Sequence, residues 1–269
     1  MLRARFAFAL ILCFALVSTV LLWTRMADAF GKHAVVTLLT SSDDYVFGAM
    51  ALATSLRRVS RDPMPFALVA MVTANVDDTV RDKLRDVGWS VRVVTSISNP
   101  SDRNGRFADT FTKLNAWRLV QFSRVVFIDA DAIALQPIDA LFRMPPLAAV
   151  PDCCDFFNSG VMVLQPSEQV FQDMAAKVAL PEFASYDGGD QGFLNAYYGA
   201  QWTRLPYRWN AQLPDFVDLP SAWNVSTIAI MHFERFKPFR PLESYPGVEE
   251  RLGPLFALWR ESGGGDAMA

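Results

Sequence analysis

The chain has 269 residues, 52% of them hydrophobic, and a formal net charge of −3. That length suits one large α/β domain with a sizeable core, and the nearly balanced charge argues against a nucleic-acid-binding surface. The three cysteines are Cys13 and the adjacent pair Cys153 and Cys154. Neighbouring cysteines rarely bridge without strain, so no disulfide framework is visible.

Arg3 and Arg5 precede an apolar run from Phe6 to Trp23. Crossing a bilayer takes ~20 apolar residues, with ~17 as a lower limit, whereas the core of a cleaved signal is usually ~7–15. The run therefore predicts a transmembrane signal anchor, with the two arginines holding the N-terminus on the cytoplasmic side. Ala27-Asp28-Ala29 has the A-x-A form of a cleavage site; cleavage there would give a secreted protein. Asn224-Val225-Ser226 is an N-glycosylation sequon, which fits a chain outside the cytosol.

Ala34 to Leu39 reads as the first strand of the remaining chain, followed by the polar turn Thr40 to Tyr45. A helix from about Gly48 to Val59 carries Leu52, Leu56 and Val59 on one stripe. Phe66 to Val72 is a second strand. Asp77 and Asp78 start a helix with Val80, Leu84 and Val87 inward, and Gly88 stops it. Val91 to Val94 is a third strand. This β-α-β-α-β opening predicts a parallel sheet with right-handed crossovers. Thr110 to Phe122 is expected to be a helix with Leu114, Trp117 and Val120 inward. Beyond it come strands near Arg124–Ile128, Leu147–Val150 and Phe156–Leu164, and a helix opened by Ser167. A helix follows Asp187-Gly188-Gly189-Asp190-Gln191, and a last strand ends at His232. Gly263-Gly264-Gly265 is expected to be disordered.

The chemistry is concentrated after the strand Val125-Val126-Phe127-Ile128, where the chain runs into Asp129-Ala130-Asp131. Ligands of open α/β sheets bind beyond the carboxyl ends of strands. Two carboxylates there are costly without a positive partner. A divalent metal carrying a phosphate-bearing ligand fits, and hard oxygen donors suit magnesium, manganese or calcium. The plain alternative is a loop with two solvated aspartates. His232 also follows a strand and could complete an open, partly octahedral site; on its own it reads as a structural histidine. Lys237 would neutralise a diphosphate as a point charge, or is a surface lysine. Gly188-Gly189 lets backbone approach a ligand closely, or is a turn.

Taken together, TLLTSSDDYVFGA, FTKLNAW, VVFIDADAIALQPIDALF, FNSGVMVLQPS, DGGDQGFLN and HFERFKPF resemble glycosyltransferase family 8, especially its glycogenin-like branch. They occur in the family's order over roughly residues 34 to 240. The resemblance implies an α/β GT-A type nucleotide-sugar-binding domain with a mostly parallel central sheet, behind an N-terminal transmembrane helix. It also implies a UDP-sugar donor, a manganese cofactor and retention of anomeric configuration. Asp129, Asp131 and His232 would bind the metal. Leu39, Thr40, Ser42 and Tyr45 would hold uracil and ribose, and the backbone at Ala130 would touch the ribose. Lys113 lies at the family's donor-contacting lysine. Asn158, Ser159, Asp187, Asp190 and Gln191 would surround the donor sugar, with Asp190, Asp187 and Gln191 as the catalytic group. Lys237 would reach the diphosphate. Arg106, or else Arg103, would supply the arginine preceding the Thr-Lys-Leu motif.

Two places depart from the pattern. Arg235 and Phe239 stand where the family has glycine and tryptophan, which would set an arginine beside the diphosphate. No tyrosine between Asn210 and Asn224 matches glycogenin's self-glucosylated residue, so self-glucosylation is not expected. The anchor resembles the Golgi members of the family. The implied division is 1–32 stub and anchor, 33–245 transferase domain, and 246–269 helix and flexible tail. The implied acceptor is a hydroxyl on a glycan, lipid or protein, and a homodimer is compatible with the resemblance. Two other readings are a haloacid-dehalogenase-like phosphatase, with Asp129 as nucleophile, and a non-catalytic, membrane-tethered UDP-sugar-binding protein.

Overall fold

The structure is a computed structural model that describes residues 32–100, 108–152, 155–218 and 223–264. The apolar run Phe6–Trp23 and Arg103 and Arg106 lie outside the described residues, as does the Cys153–Cys154 pair. Among the described residues no helix is long and apolar enough to cross a membrane.

Strands β1 (His33–Leu39), β2 (Ala67–Val72), β3 (Ser90–Val93) and β4 (Arg124–Ile128) run parallel, with Val35 opposite both Leu68 and Val126. A short β5 (Ala132–Ala134) follows the Asp129–Asp131 turn. Beyond it lie β6 (Ala148–Pro151), β7 (Phe157–Leu164) and β8 (Thr203–Arg204). The main sheet has the order β3-β2-β1-β4-β7-β6-β8. β7 is antiparallel to both its neighbours, so the sheet is mostly parallel. Its central strands are unbroken apolar runs because both faces are covered. Helices α1 (Tyr45–Val59) and α2 (Asp78–Asp86) cover one face, where Leu52, Leu56 and Leu84 meet Val35, Leu68 and Val126. On the other face Phe111, Leu114 and Trp117 pack with Phe127 and Met162, joined by Met174 of α3 (Glu168–Lys177) and Phe193 of α4 (Asp190–Tyr198).

The segment from Thr110 departs from expectation. It is a 3-10 helix, Thr110–Arg118, and Val120 is 59% exposed rather than inward. Its apolar residues Phe111, Leu114 and Trp117 recur every third position, which matches the three residues per turn of that helix.

A second, three-stranded sheet was not anticipated, because its strands are too short to show a period. It has the order β5-β10-β9, with β9 at Ala211–Gln212 and β10 at Ile230–His232. A short α5 (Leu213–Asp218) follows β9. Helix α6 (Glu249–Trp259) packs Leu252, Leu255, Phe256 and Trp259 against Ile133, Met231 and Phe233 of this sheet region. The glycine tail corrects the expected disorder as far as Gly264. Arg260–Gly264 forms a π-helical turn in which Ser262 and Gly264 are buried. A Cβ at Gly264 would stand 2.4 Å from the Trp259 ring, so the missing side chain is what lets the turn seat.

Candidate active site

The Asp129–Asp131 turn is the seam between the two sheets. β4 of the main sheet leads into it and β5 of the small sheet leads out. On one side the Asp129 amide donates to the Gly160 carbonyl of β7 at 2.8 Å. On the other, the Phe233 amide donates to the Asp131 carbonyl at 2.9 Å, and His232 pairs with Ala132. Strand pairing therefore places the imidazole directly beside the acids. One ligand atom each from Asp129, Asp131 and His232 lies within 4.8 Å of the others. His232 Nε2 stands 3.3 Å from Asp131 Oδ1 and 4.0 Å from Asp129 Oδ2.

Two glycines make the approach feasible. A Cβ at Gly48 of α1 would sit 2.3 Å from the Ala130 carbonyl oxygen. One at Gly160 would sit 2.2 Å from His232 Cε1. The other imidazole nitrogen, Nδ1, lies 3.1 Å from Asn210 Oδ1, whose Nδ2 donates to Asn158 Oδ1 at 2.8 Å. With Nδ1–H donated to Asn210, Nε2 keeps its lone pair toward the carboxylates, the arrangement a metal-binding histidine needs. Two carboxylates and one such nitrogen fit a divalent cation with open positions.

The acids are countered by two lysines. Lys113 Nζ bridges Asp129 at 3.1 Å and Asp190 at 2.7 Å, its side chain only 6% exposed. Lys237 Nζ pairs with Asp131. Burial alone would lower the Lys113 pKa, but the Asp129 and Asp190 carboxylates outweigh it and hold it raised. Burial would likewise raise the Asp131 carboxyl, yet Lys237 and then His232 hold it well below the usual range. Asp129 moves the other way: burial raises it, and Lys113 offsets this only in part. Burial disfavours the imidazolium of His232, but Asp131 reverses that and leaves its pKa raised. Such opposed shifts in one buried cluster are typical of functional sites.

The cluster forms the floor of a cavity of about 530 Å³. Leu39, Thr40 and Tyr45 line it, with Lys113, Asp129, Ala130, Asp131, Asp190, His232 and Lys237. Other expected residues stand beside it. Ser42 accepts from the Asp77 amide at 2.7 Å and so caps the start of α2. Ser159 donates its hydroxyl to Asp190 at 2.8 Å. Gln191 accepts from the Ser159 amide at 3.1 Å. Asn158 is buried, held by Asn210 and by Glu234 at 2.9 Å. Asp187 accepts from Ser185 and from the Gly189 and Gly192 amides, so its Oδ1 is engaged in shaping the turn before α4. The arginine expected beside the diphosphate points elsewhere: Arg235 is 58% exposed, faces Asp218 at 3.7 Å and lies over the Phe236 ring. Phe239 is buried between Tyr45 and Trp259.

Sequence reasoning passed over Glu234, Asn210 and the packing roles of Gly48 and Gly160. Glu234 lines the cavity with φ of 48°, an uncommon backbone state for a non-glycine residue. Its place between His232 and Lys237 was a usable signal. Asn210 gave none, since only β9 pairing with β10 brings it to the imidazole.

A mostly parallel sheet whose central strand ends in two acids, with an imidazole beside them on the floor of a polar cavity, fits a glycosyltransferase of the GT-A-like α/β type. The chain belongs to Glycosyl transferase family 8, whose model matches residues 36–241. It is 36% identical over 182 residues to UDP-glucuronate:xylan alpha-glucuronosyltransferase 1 of Arabidopsis thaliana, covering 66% of this chain and 26% of that protein. It is also 36% identical over 218 residues to Glycogenin-1 of Oryctolagus cuniculus, covering 77% of this chain and 60% of that one. The chain thus spans only part of the length of these relatives. The fold is shared with the crystal structure of an active-site mutant of LgtC, with a TM-score of 0.62 at 15% identity, covering 85% of this chain and 95% of that one.

Proposed function

We propose that this chain transfers a hexosyl group from a UDP-sugar to a carbohydrate hydroxyl, with retention of anomeric configuration and dependence on manganese. The convergence of Asp129, Asp131 and His232 on one cavity floor carries the reading. Asp129, Asp131 and His232 would hold manganese, which when bound would supply Lewis-acid stabilisation for the charge of the departing diphosphate. Leu39, Thr40 and Tyr45 hold the nucleoside end, and Ala130 offers its backbone to the ribose. Lys237 moves from Asp131 to the diphosphate as a second positive charge. Asp190 faces the donor sugar. Because it already accepts from Lys113 and Ser159, it acts as a fixed negative charge beside an oxocarbenium-like sugar rather than as a free nucleophile. Asp187 keeps the turn in shape, and Asn158, Ser159 and Gln191 brace the wall. A carbohydrate acceptor is favoured because the relatives that align over most of this chain include proteins named for xylan.

We assign residues 33–245 to the transferase domain and residues 6–23 to a signal anchor facing it to the Golgi lumen. Protease protection of the full chain in sealed microsomes tests the anchor. The function is tested by UDP release from a panel of UDP-sugars, with manganese present or chelated. Asp129→Asn and Asp131→Asn should each lower manganese-dependent UDP binding by at least tenfold. Wild-type rates in either variant would defeat the assignment.

A further inference from the structure

Outside the cavity the described surface carries one conspicuous aromatic feature. Phe156 is 40% exposed and Tyr186 is 51% exposed, and their rings stack with centroids 4.6 Å apart. Two large rings stacked side by side offer a flat apolar face to solvent. Neither is loosely held. Phe156 immediately precedes β7, where the Phe157 amide and carbonyl are both bonded at 2.9 Å by the buried Asn195. Tyr186 is tied through its hydroxyl, which accepts from Gln191 Nε2 at 3.1 Å.

The position of the pair matters more than its exposure. Gln191 also accepts from the Ser159 amide, and Ser159 donates to Asp190. Three hydrogen bonds therefore join the Tyr186 hydroxyl to the carboxylate that lines the catalytic cavity. Phe156 also borders a second cavity of about 460 Å³, with Asn195, Trp202 and Arg204 in its wall. Arg204 lies 4.8 Å from the Trp202 ring and pairs with Asp155 at 2.8 Å. The stacked rings are thus joined through Tyr186 to the hydrogen-bond chain that reaches Asp190, and through Phe156 to the cavity walled by Trp202, over whose ring Arg204 lies.

Alternating apolar faces and polar rims are the chemistry of a pyranose chain. Each ring offers C–H faces to an aromatic plane and hydroxyls to side chains around its edge. A lipid tail would need no polar rim. We propose that Phe156 and Tyr186 form a stacking platform for the acceptor glycan, with the sugar chain running on to the Trp202–Arg204 cavity. This rests on the glycosyl-transfer reading for its direction, but its own test does not.

Xylohexaose, cellohexaose and maltohexaose serve as probes. Calorimetric titration of the full chain without donor measures glycan binding by itself. The donor reading is measured separately as UDP release without acceptor. At least one hexaose should bind the wild-type protein, and Phe156→Ala should weaken that binding by about tenfold, with Phe156→Tyr restoring it. In transfer assays Phe156→Ala should raise the KM for that hexaose and leave kcat at saturation close to wild type. UDP release with no hexaose binding would overturn the platform and leave the donor reading standing. Hexaose binding lost on Phe156→Ala without UDP release would do the reverse. A hexaose affinity unmoved by Phe156→Ala, or a kcat loss without a KM change, would each sink the proposal.

Discussion

Replacing Gly160 with alanine puts one methyl group against the metal-facing imidazole. The added Cβ would lie 2.2 Å from His232 Cε1, 2.6 Å from Nδ1 and 2.9 Å from Asn158 Oδ1. Carbon atoms in contact prefer about 3.5–4.0 Å, so the ring must retreat by more than about 1 Å. It has little room, since His232 is 4% exposed and its Nδ1 is bound to Asn210 at 3.1 Å. The shift would break that bond and pull Nε2 out of line with Asp129 and Asp131. Overpacking of this kind costs roughly 1–3 kcal/mol of stability. Loss of a ligand's supporting hydrogen bond typically costs about 10–100-fold in metal affinity. Calorimetric titration with manganese gives the affinity directly, and thermal unfolding with and without manganese reports the same loss as a smaller ligand-induced gain. Gly253→Ala is the control: nothing lies within 4 Å of its added Cβ, in α6. It should leave manganese affinity unchanged, with no gain in stability, because Pro254 follows it inside the helix and a Cβ ahead of proline disfavours helical backbone. A folded Gly160→Ala variant with wild-type manganese affinity would refute the assignment of His232 as a ligand.

Gly48→Ala sets its Cβ 2.3 Å from a backbone oxygen that no rotamer can move; urea denaturation should show about 1–3 kcal/mol lost, with weaker UDP binding. Lys113→Met strands the buried Asp190 carboxylate and the partly exposed Asp129 and should cost about 3 kcal/mol at neutral pH, the lower end of the range for breaking a buried pair. Part of that cost should vanish in acid as Asp129, whose carboxyl pKa burial holds raised, takes up a proton, measured by urea unfolding against pH. For His232 the folded pKa is raised above its ordinary 6.5, chiefly because Asp131 overcomes burial. Its stabilising contribution to the metal-free protein is therefore fully present below 6.5 and lost as pH rises through the folded value. Manganese must displace that proton, so its affinity should climb over the same window. A flat affinity profile across that range would count against the imidazole.

The main sheet was legible because its central strands are continuous apolar runs between helices, so β1, β2, β4 and β7 stand near their expected positions. The acidic turn announced itself by following one of those runs. What stayed hidden depends on contacts between distant segments. Strands β5, β8 and β9 have only two or three residues each, too few to show alternation. The helical expectation for Thr110 onward already used an every-third-residue set, Leu114, Trp117 and Val120, but carried it too far: the 3-10 helix ends at Arg118, and Val120 lies beyond it, exposed. Arg235 was placed by motif position beside the phosphates, yet one residue of backbone at positive φ, Glu234, precedes it, and its side chain meets Asp218 outside. Motif spacing fixes the order of residues along the chain, not the direction in which an exposed side chain leaves it.

The packing of α6 behind the small sheet sets a limit on where this protein can be shortened. The family match stops at residue 241, and an engineer guided by it would cut there. Yet Phe256 meets Phe233 edge-on at 6.0 Å, and Trp259 backs Phe239. A truncation at 241 would bare the rear of the wall that carries His232, so what looks like an appendage is the buttress of the metal-binding strand.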